Sequence, residues 1–273
     1  MMIFKFLIPF YYLFYSRLKS RVEKLSWVII YLIPPYLSGL YFMFHPIYEY
    51  SLFFGFALLI FNSIYEIGYL MNDTQTIKGE AYPTLRQREE DYDFFEKRYY
   101  LLIFLKLLVT LFLLFMVYLL AFYLSFEIYI FRFMILLGLV SFVFYLHNII
   151  RNKANIITFL ILAVLKYTSP LVLLLPMENL LSLGIIMFFI FPLPRSIEYA
   201  TKEAYQFRYL QRWVGNFDLF RLKYYTLITC IYLLLYMVSS HEIIFIGVLL
   251  SSYFFVYRVS IYILIYYHFY KRN

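Results

Sequence analysis

Eight long apolar segments constrain this chain more than anything else in it. They cover about 25–45, 51–71, 99–124, 128–147, 156–175, 179–197, 224–239 and 242–268. Each is near or above the ~20 residues that an α-helix needs to cross a bilayer. In hydrocarbon the backbone has no water to bond, so apolar runs of this length fold as helices. Composition agrees: 64% of residues are hydrophobic, 15% are charged, and mean hydropathy is +0.75. A soluble domain is nearer half apolar and a quarter charged. The expected fold class is all-α: a polytopic transmembrane helical bundle of eight to nine spans, with 1–273 as one integral membrane domain. The span count stays open because 242–268 reads either as one long tilted helix or as a span plus a surface helix. Pro34-Pro35, Pro170 and Pro192/Pro194 are expected to kink or end helices.

Charge placement sets an expected topology. The connections 1–24, 72–98, 148–155, 195–223 and 269–273 hold 20 of the 24 Lys and Arg residues, whereas 45–50, 125–127, 176–178 and 240–241 hold none. Positive loops stay inside, so both termini and the two long loops are expected in the cytoplasm. The net charge of +8 thus follows from topology, and no nucleic-acid partner is needed to explain it. The lipid bilayer is the partner that composition demands. Residues 1–24 read as an interfacial basic segment feeding the first span. A cleavable signal is not expected, because the charges follow the apolar part. The lone Cys230 excludes an intramolecular disulfide and a multi-cysteine metal site.

Within the apolar segments, polar residues are few enough to matter one by one. Asn62, Glu66, Tyr69, Asp73, Thr76 and Glu80 recur at steps of four and three, which on a helix makes one continuous stripe. Such a stripe is costly in a membrane unless it faces a wet cavity, a partner or a ligand. Four cations also sit in apolar segments. Arg132 is close enough to a span end to snorkel. Lys106 lies about two turns in. Lys166 and Arg258 are nearer mid-span, where a cation pairs with an acid or an anionic ligand. Glu66 is the acid deepest in a segment and is the expected partner for Lys166 or Arg258.

Two long loops, 72–98 and 195–223, each follow an even-numbered span and mix acids with bases. If the second span's helix continues, Asn72, Thr76 and Glu80 align over two turns beside Asp73. Their oxygens could then share a hard divalent cation together with substrate phosphates. Lys78 and Arg86 could add charge-assisted contacts to phosphate. In the second loop Arg195, Glu198, Lys202 and Glu203 lie within three turns, with Glu198 and Lys202 at the spacing of an ordinary helix ion pair. Residues 205–221 read as an amphipathic helix on the inner leaflet. His45, His147, His241 and His268 fall at span ends, where interfacial placement explains them better than metal ligation. There is no P-loop, no His-Glu-x-x-His, no Gly-x-Ser-x-Gly and no internal repeat.

The run Asn72-Asp73-x-x-Thr76-x-x-x-Glu80-x-x-Pro83-Thr84-x-Arg86 resembles the first signature of the UbiA superfamily of intramembrane prenyltransferases. That signature reads Asn-x-x-x-Asp-x-x-x-Asp, often with Asn-Asp at its start, followed by a basic, proline-containing segment. Thr76 and Glu80 stand where the family has Asp. The family's second, Asp-x-x-x-Asp, signature corresponds in position to Arg195–Glu203, which offers Glu198 and Glu203. Length, orientation and loop spacing resemble the family over nearly the whole chain.

The resemblance implies a UbiA-like bundle in which the two loops cap an active site. It implies Mg²⁺-assisted departure of diphosphate from an isoprenoid diphosphate and capture of the allylic cation by an acceptor. On that reading Asp73 and Glu80 are catalytic, and Asp73, Glu80 and Glu198 hold the metal. Asn72, Thr76, Lys78, Arg86, Arg195 and Lys202 bind substrate. Asn62, Glu66, Lys166 and Arg258 are intramembrane polar positions. Two other readings fit the residues: a UbiA-fold protein that binds lipid or assists another enzyme without prenyl transfer, and an unrelated transporter or scaffold.

Overall fold

A computed structural model describes residues 2–43, 45–79 and 86–267. All regular structure among them is helical. In chain order the helices are α1 (Met2–Leu7), α2 (Tyr11–Ser16), α3 (Arg21–Trp27), α4 (Ile33–Leu40), α5 (Ile47–Thr74), α6 (Glu89–Lys97) and α7 (Tyr99–Leu124). They continue with α8 (Ile130–Ile149), α9 (Asn155–Leu174), α10 (Met177–Ile190), α11 (Pro192–Ala200), α12 (Arg208–Val214), α13 (Phe217–Ser239) and α14 (Glu242–Tyr266). Seven helical stretches are long and apolar enough to cross a membrane: Ile47–Gly79, α7, α8, α9, Met177–Ala200, α13 and α14. The protein therefore reads as a multi-pass integral membrane protein. The segment expected as the first span is helical in three consecutive pieces. A π-helical turn, Val28–Leu32, joins α3 to α4, and Pro34 and Pro35 open α4.

The chain divides into two compact units, 1–151 with 168–176, and 152–167 with 177–273. In the first unit, α5 is the central element. Phe53, Ala57, Ile60, Phe61, Ser63, Glu66 and Leu70 on it are buried, while much of the α7 surface, including Leu111, Phe112, Phe115 and Phe122, is exposed and apolar. An exposed apolar face of this extent fits lipid. Helix α8 approaches α5 closely at Gly68, where a Cβ would run into the Phe144 ring. The Asn148 amide uses that closeness to donate to the Gly68 carbonyl at 3.0 Å. Arg132, expected to snorkel, instead caps the end of α9, donating to the carbonyls of Val172 (2.7 Å) and Leu175. A cation there suits the negative end of a helix.

In the second unit, α13 and α14 form a long antiparallel hairpin in which the Tyr225 and Phe254 rings stack at 5.1 Å. Helix α11 starts on Pro192, which fits a first turn where no N–H is needed. The amphipathic stretch expected over 205–221 is resolved into short α12, with Tyr209 and Trp213 exposed, and the first turn of α13.

Candidate functional site

The polar stripe of α5 is real as far as Asp73, and it is covered by the N-terminus. Residues 2–16 do not form one interfacial helix. They form two short helices broken at Pro9, with Phe10 in a left-handed conformation (φ 72°). Phe6, Tyr12 and Leu13 are buried. A break leaves carbonyls unpaired at the end of α1 and N–H groups unpaired at the start of α2.

Glu66 of the stripe and Lys106 of α7 supply the missing partners. Lys106 Nζ on α7 donates to the carbonyls of Phe6 (2.7 Å), Leu7 (3.4 Å) and Ile8 (3.4 Å). Glu66 Oε1 accepts from the Leu13 backbone N–H at 2.8 Å. The two side chains, both fully buried, pair with each other at 2.8 Å. Each charge faces the helix end of opposite sign, cation to C-terminus and anion to N-terminus. Such caps supply the hydrogen bonds that a buried ion pair needs to offset its desolvation. The expected partners of Glu66, Lys166 and Arg258, are thus corrected to Lys106. Sequence spacing within one segment could not reveal a partner forty residues away on another helix.

One turn beyond Tyr69, Asp73 is buried and accepts three bonds. They come from Arg17 Nη2 (2.8 Å), Asn72 Nδ2 (3.2 Å) and the Tyr12 hydroxyl (3.0 Å). Gln87 donates in turn to Tyr12. The Arg17 guanidinium lies over the Tyr69 ring, 4.5 Å from its centroid. Its Nε and Nη1 are buried and have no hydrogen-bond partner among the described residues. Arg86, which is exposed, contributes its charge to the same place, at Tyr69. Beside this cluster Tyr15 donates to Asp91 on α6. Burial, and then that carboxylate, push the Tyr15 phenol up to about 12.

The other expected residues of this loop separate. Helix α5 ends at Thr74 and a 3₁₀ turn, Thr76–Gly79, follows, so the α-helix does not continue from Asn72 through Thr76 as expected. Thr76 Oγ1 turns back to the Asn72 carbonyl at 3.4 Å. Lys78 pairs with Glu96. Glu80 lies outside the described residues. Asn62 donates to the Leu58 carbonyl of its own helix at 2.9 Å. Among the described residues there is no group of three or more His, Cys, Asp or Glu side chains that could hold a metal. Asp73, with both oxygens engaged by nitrogen and hydroxyl donors, does not by itself make a Mg²⁺ site.

In the second unit, Glu198 is buried and gripped by Arg221. Nη2 reaches Oε2 at 2.6 Å and Nε reaches Oε1, which is the two-pronged geometry that makes such pairs strong. Arg195 adds a third bond at 2.6 Å. Glu198, expected at helix ion-pair spacing from Lys202, is held by Arg221 and Arg195, and α11 ends at Ala200. Exposed Lys202 lies over the Tyr199 ring at 3.9 Å. Lys166 and Arg258 are both half-buried.

Arg17, Tyr12, Gln87 and Lys106 were not singled out as site residues by the sequence reading. Pro9 is the signal that could have pointed to them, since a proline inside an apolar run marks a break that needs partners. No family model matches the chain, and no curated protein or solved structure matches it either.

Proposed function

We propose that this protein is a UbiA-like membrane transferase that holds an isoprenoid diphosphate at the C-terminal end of α5 and passes the isoprenoid group to an acceptor. The reading places that end of α5 on the cytoplasmic face, in a bundle of eight to nine spans. One observation carries it: Arg17 is fixed by Asp73 and Tyr69 while two of its buried N–H donors have no hydrogen-bond partner among the described residues. Unpaired guanidinium donors, with the charge of a further arginine, Arg86, also acting at Tyr69, suit the paired oxygens of a diphosphate. In the transfer, the bond between the allylic carbon and the diphosphate oxygen breaks, and its electron pair leaves with the diphosphate. The acceptor's electron pair then forms the new bond, and the acceptor loses a proton. Fixed donors aimed at the departing oxygens stabilise the charge that grows there. Asp73 works through Arg17, holding its plane, and Asn72 and Tyr12 hold Asp73.

Mg²⁺, which the resemblance implies, would add charge neutralisation on the diphosphate, with Asp73, Glu80 and Glu198 as its expected ligands. The described residues do not complete that donor set. The engagement of Asp73 by three donors favours a second reading, in which the isoprenoid diphosphate binds without turnover.

The test uses purified protein with geranylgeranyl or farnesyl diphosphate, with and without Mg²⁺. Diphosphate release that Arg17→Gln and Glu80→Gln both abolish supports transfer. Binding without release, sensitive to Arg17→Gln and indifferent to Glu80→Gln, supports the second reading. Absence of binding at every chain length would remove both.

A further inference from the structure

The second unit carries a cation that its own ion pairs leave over. The stacking of Tyr225 on Phe254 fixes the register of the α13–α14 hairpin. One turn from Tyr225 toward the start of α13 is Arg221, and one turn from Phe254 toward the end of α14 is Arg258. In an antiparallel pair these two steps run in the same direction, so the two arginines lie at the same level. Their fates differ. Arg221 has Glu198 and Asp218 within 4 Å. Arg258 has no carboxylate within ion-pair distance among the described residues. Its guanidinium lies 4.9 Å from the Tyr257 ring centroid and meets the Tyr225 hydroxyl, and its buried Nε has no hydrogen-bond partner among the described residues.

Arg258 stands eight residues before the last residue of α14, roughly 12 Å of helix. A half-buried guanidinium at that depth, next to a second arginine, is costly without an anion. Tyr225 and Tyr257 supply a hydroxyl and a ring but no charge.

We propose that Arg258, with the Tyr225–Arg221 face beside it, is a second oxyanion site that takes the phosphate group of a membrane amphiphile. The planar fork of arginine accepts two phosphate oxygens at once, and the apolar surface of α14 continues along the helix, where an acyl or prenyl chain would lie. Arg258 belongs to the second unit and Arg17 to the first.

The full-length protein, reconstituted in phosphatidylcholine discs with or without phosphatidic acid, tests this by native mass spectrometry after release. Wild type should retain one anionic lipid more than Arg258→Gln, and Arg258→Lys should retain an intermediate share. A parallel thermal-shift series with inorganic phosphate separates the sources. A shift seen in wild type and lost in Arg258→Gln keeps the site but assigns it to a soluble phosphate. Arg258→Gln removes a charge that has no carboxylate within ion-pair distance among the described residues, only the more distant field of Glu198, so it should melt no lower than wild type, which the same series reports. Equal lipid retention in wild type and Arg258→Gln, together with no phosphate shift, overturns the proposal.

Discussion

Two buried glutamates do opposite things. Glu66 and Glu198 both sit on helices and both bond basic side chains from other helices. Glu198 is closed by its partners: Arg221 takes both oxygens and Arg195 takes one again, so the group ties α11 to α13. Glu66 shares itself between a side chain and a backbone. With Lys106 it caps the two faces of a break in the N-terminal hairpin, and that hairpin delivers Arg17 to Asp73 with donors to spare. The first arrangement is a joint. The second is a joint that also positions Arg17 against Asp73. The difference comes from what each carboxylate meets, a side-chain fork or the end of a helix.

The largest expected effect lies at the capped break. Glu66→Gln or Lys106→Met alone leaves an uncompensated buried charge and should cost about 3–5 kcal/mol. The double change should recover part of that loss while still loosening residues 2–16, since the helix ends remain uncapped. Thermal unfolding in detergent, with hydrogen exchange over the hairpin, reads both. If the double variant is as tight at the hairpin as wild type, the capping role is wrong.

Arg221→Gln should cost somewhat less, about 2–3 kcal/mol, because Arg195 still answers Glu198. Arg195→Gln, on an exposed side chain, should fall below about 1 kcal/mol. Neither should move hydrogen exchange at residues 2–16. A common loss from both variants would show that Glu198 is not gripped unequally.

The smallest effect is a pH dependence. The Tyr15 phenol is raised from its ordinary ~10 to about 12, so the fold favours its protonated form. Its contribution is fully present below pH 10 and lost as pH rises toward 12. Exchange protection at α2 and α6 should therefore fall over that window, and Tyr15→Phe should flatten the profile. A wild-type profile that stays flat from pH 9 to 12 would sever this contact from the account.

Much of the fold is legible in the sequence, because long apolar runs leave a chain few options. Seven of the expected segments are present as long apolar helices, and the one over 25–45 is helical but jointed at Val28–Leu32. The stripe on α5 is legible too, as far as the helix lasts. What stays hidden is the partnership across helices. Nothing in the spacing of Glu66 names Lys106, and Arg17 looks like one more basic residue of a loop. The end of α5 is also hidden. The steps of four and three continue through Thr76 and Glu80, but a periodic pattern shows only where a helix would align its side chains. It does not show where the backbone leaves the helix, and here it does so after Thr74.

The most direct test is the affinity of geranylgeranyl diphosphate for wild type, Arg17→Gln and Arg195→Gln, measured in one detergent by calorimetry or thermal shift. The account predicts at least a tenfold weakening for Arg17→Gln, about 1.4 kcal/mol or more, and no change for Arg195→Gln. Equal binding by wild type and Arg17→Gln would contradict it.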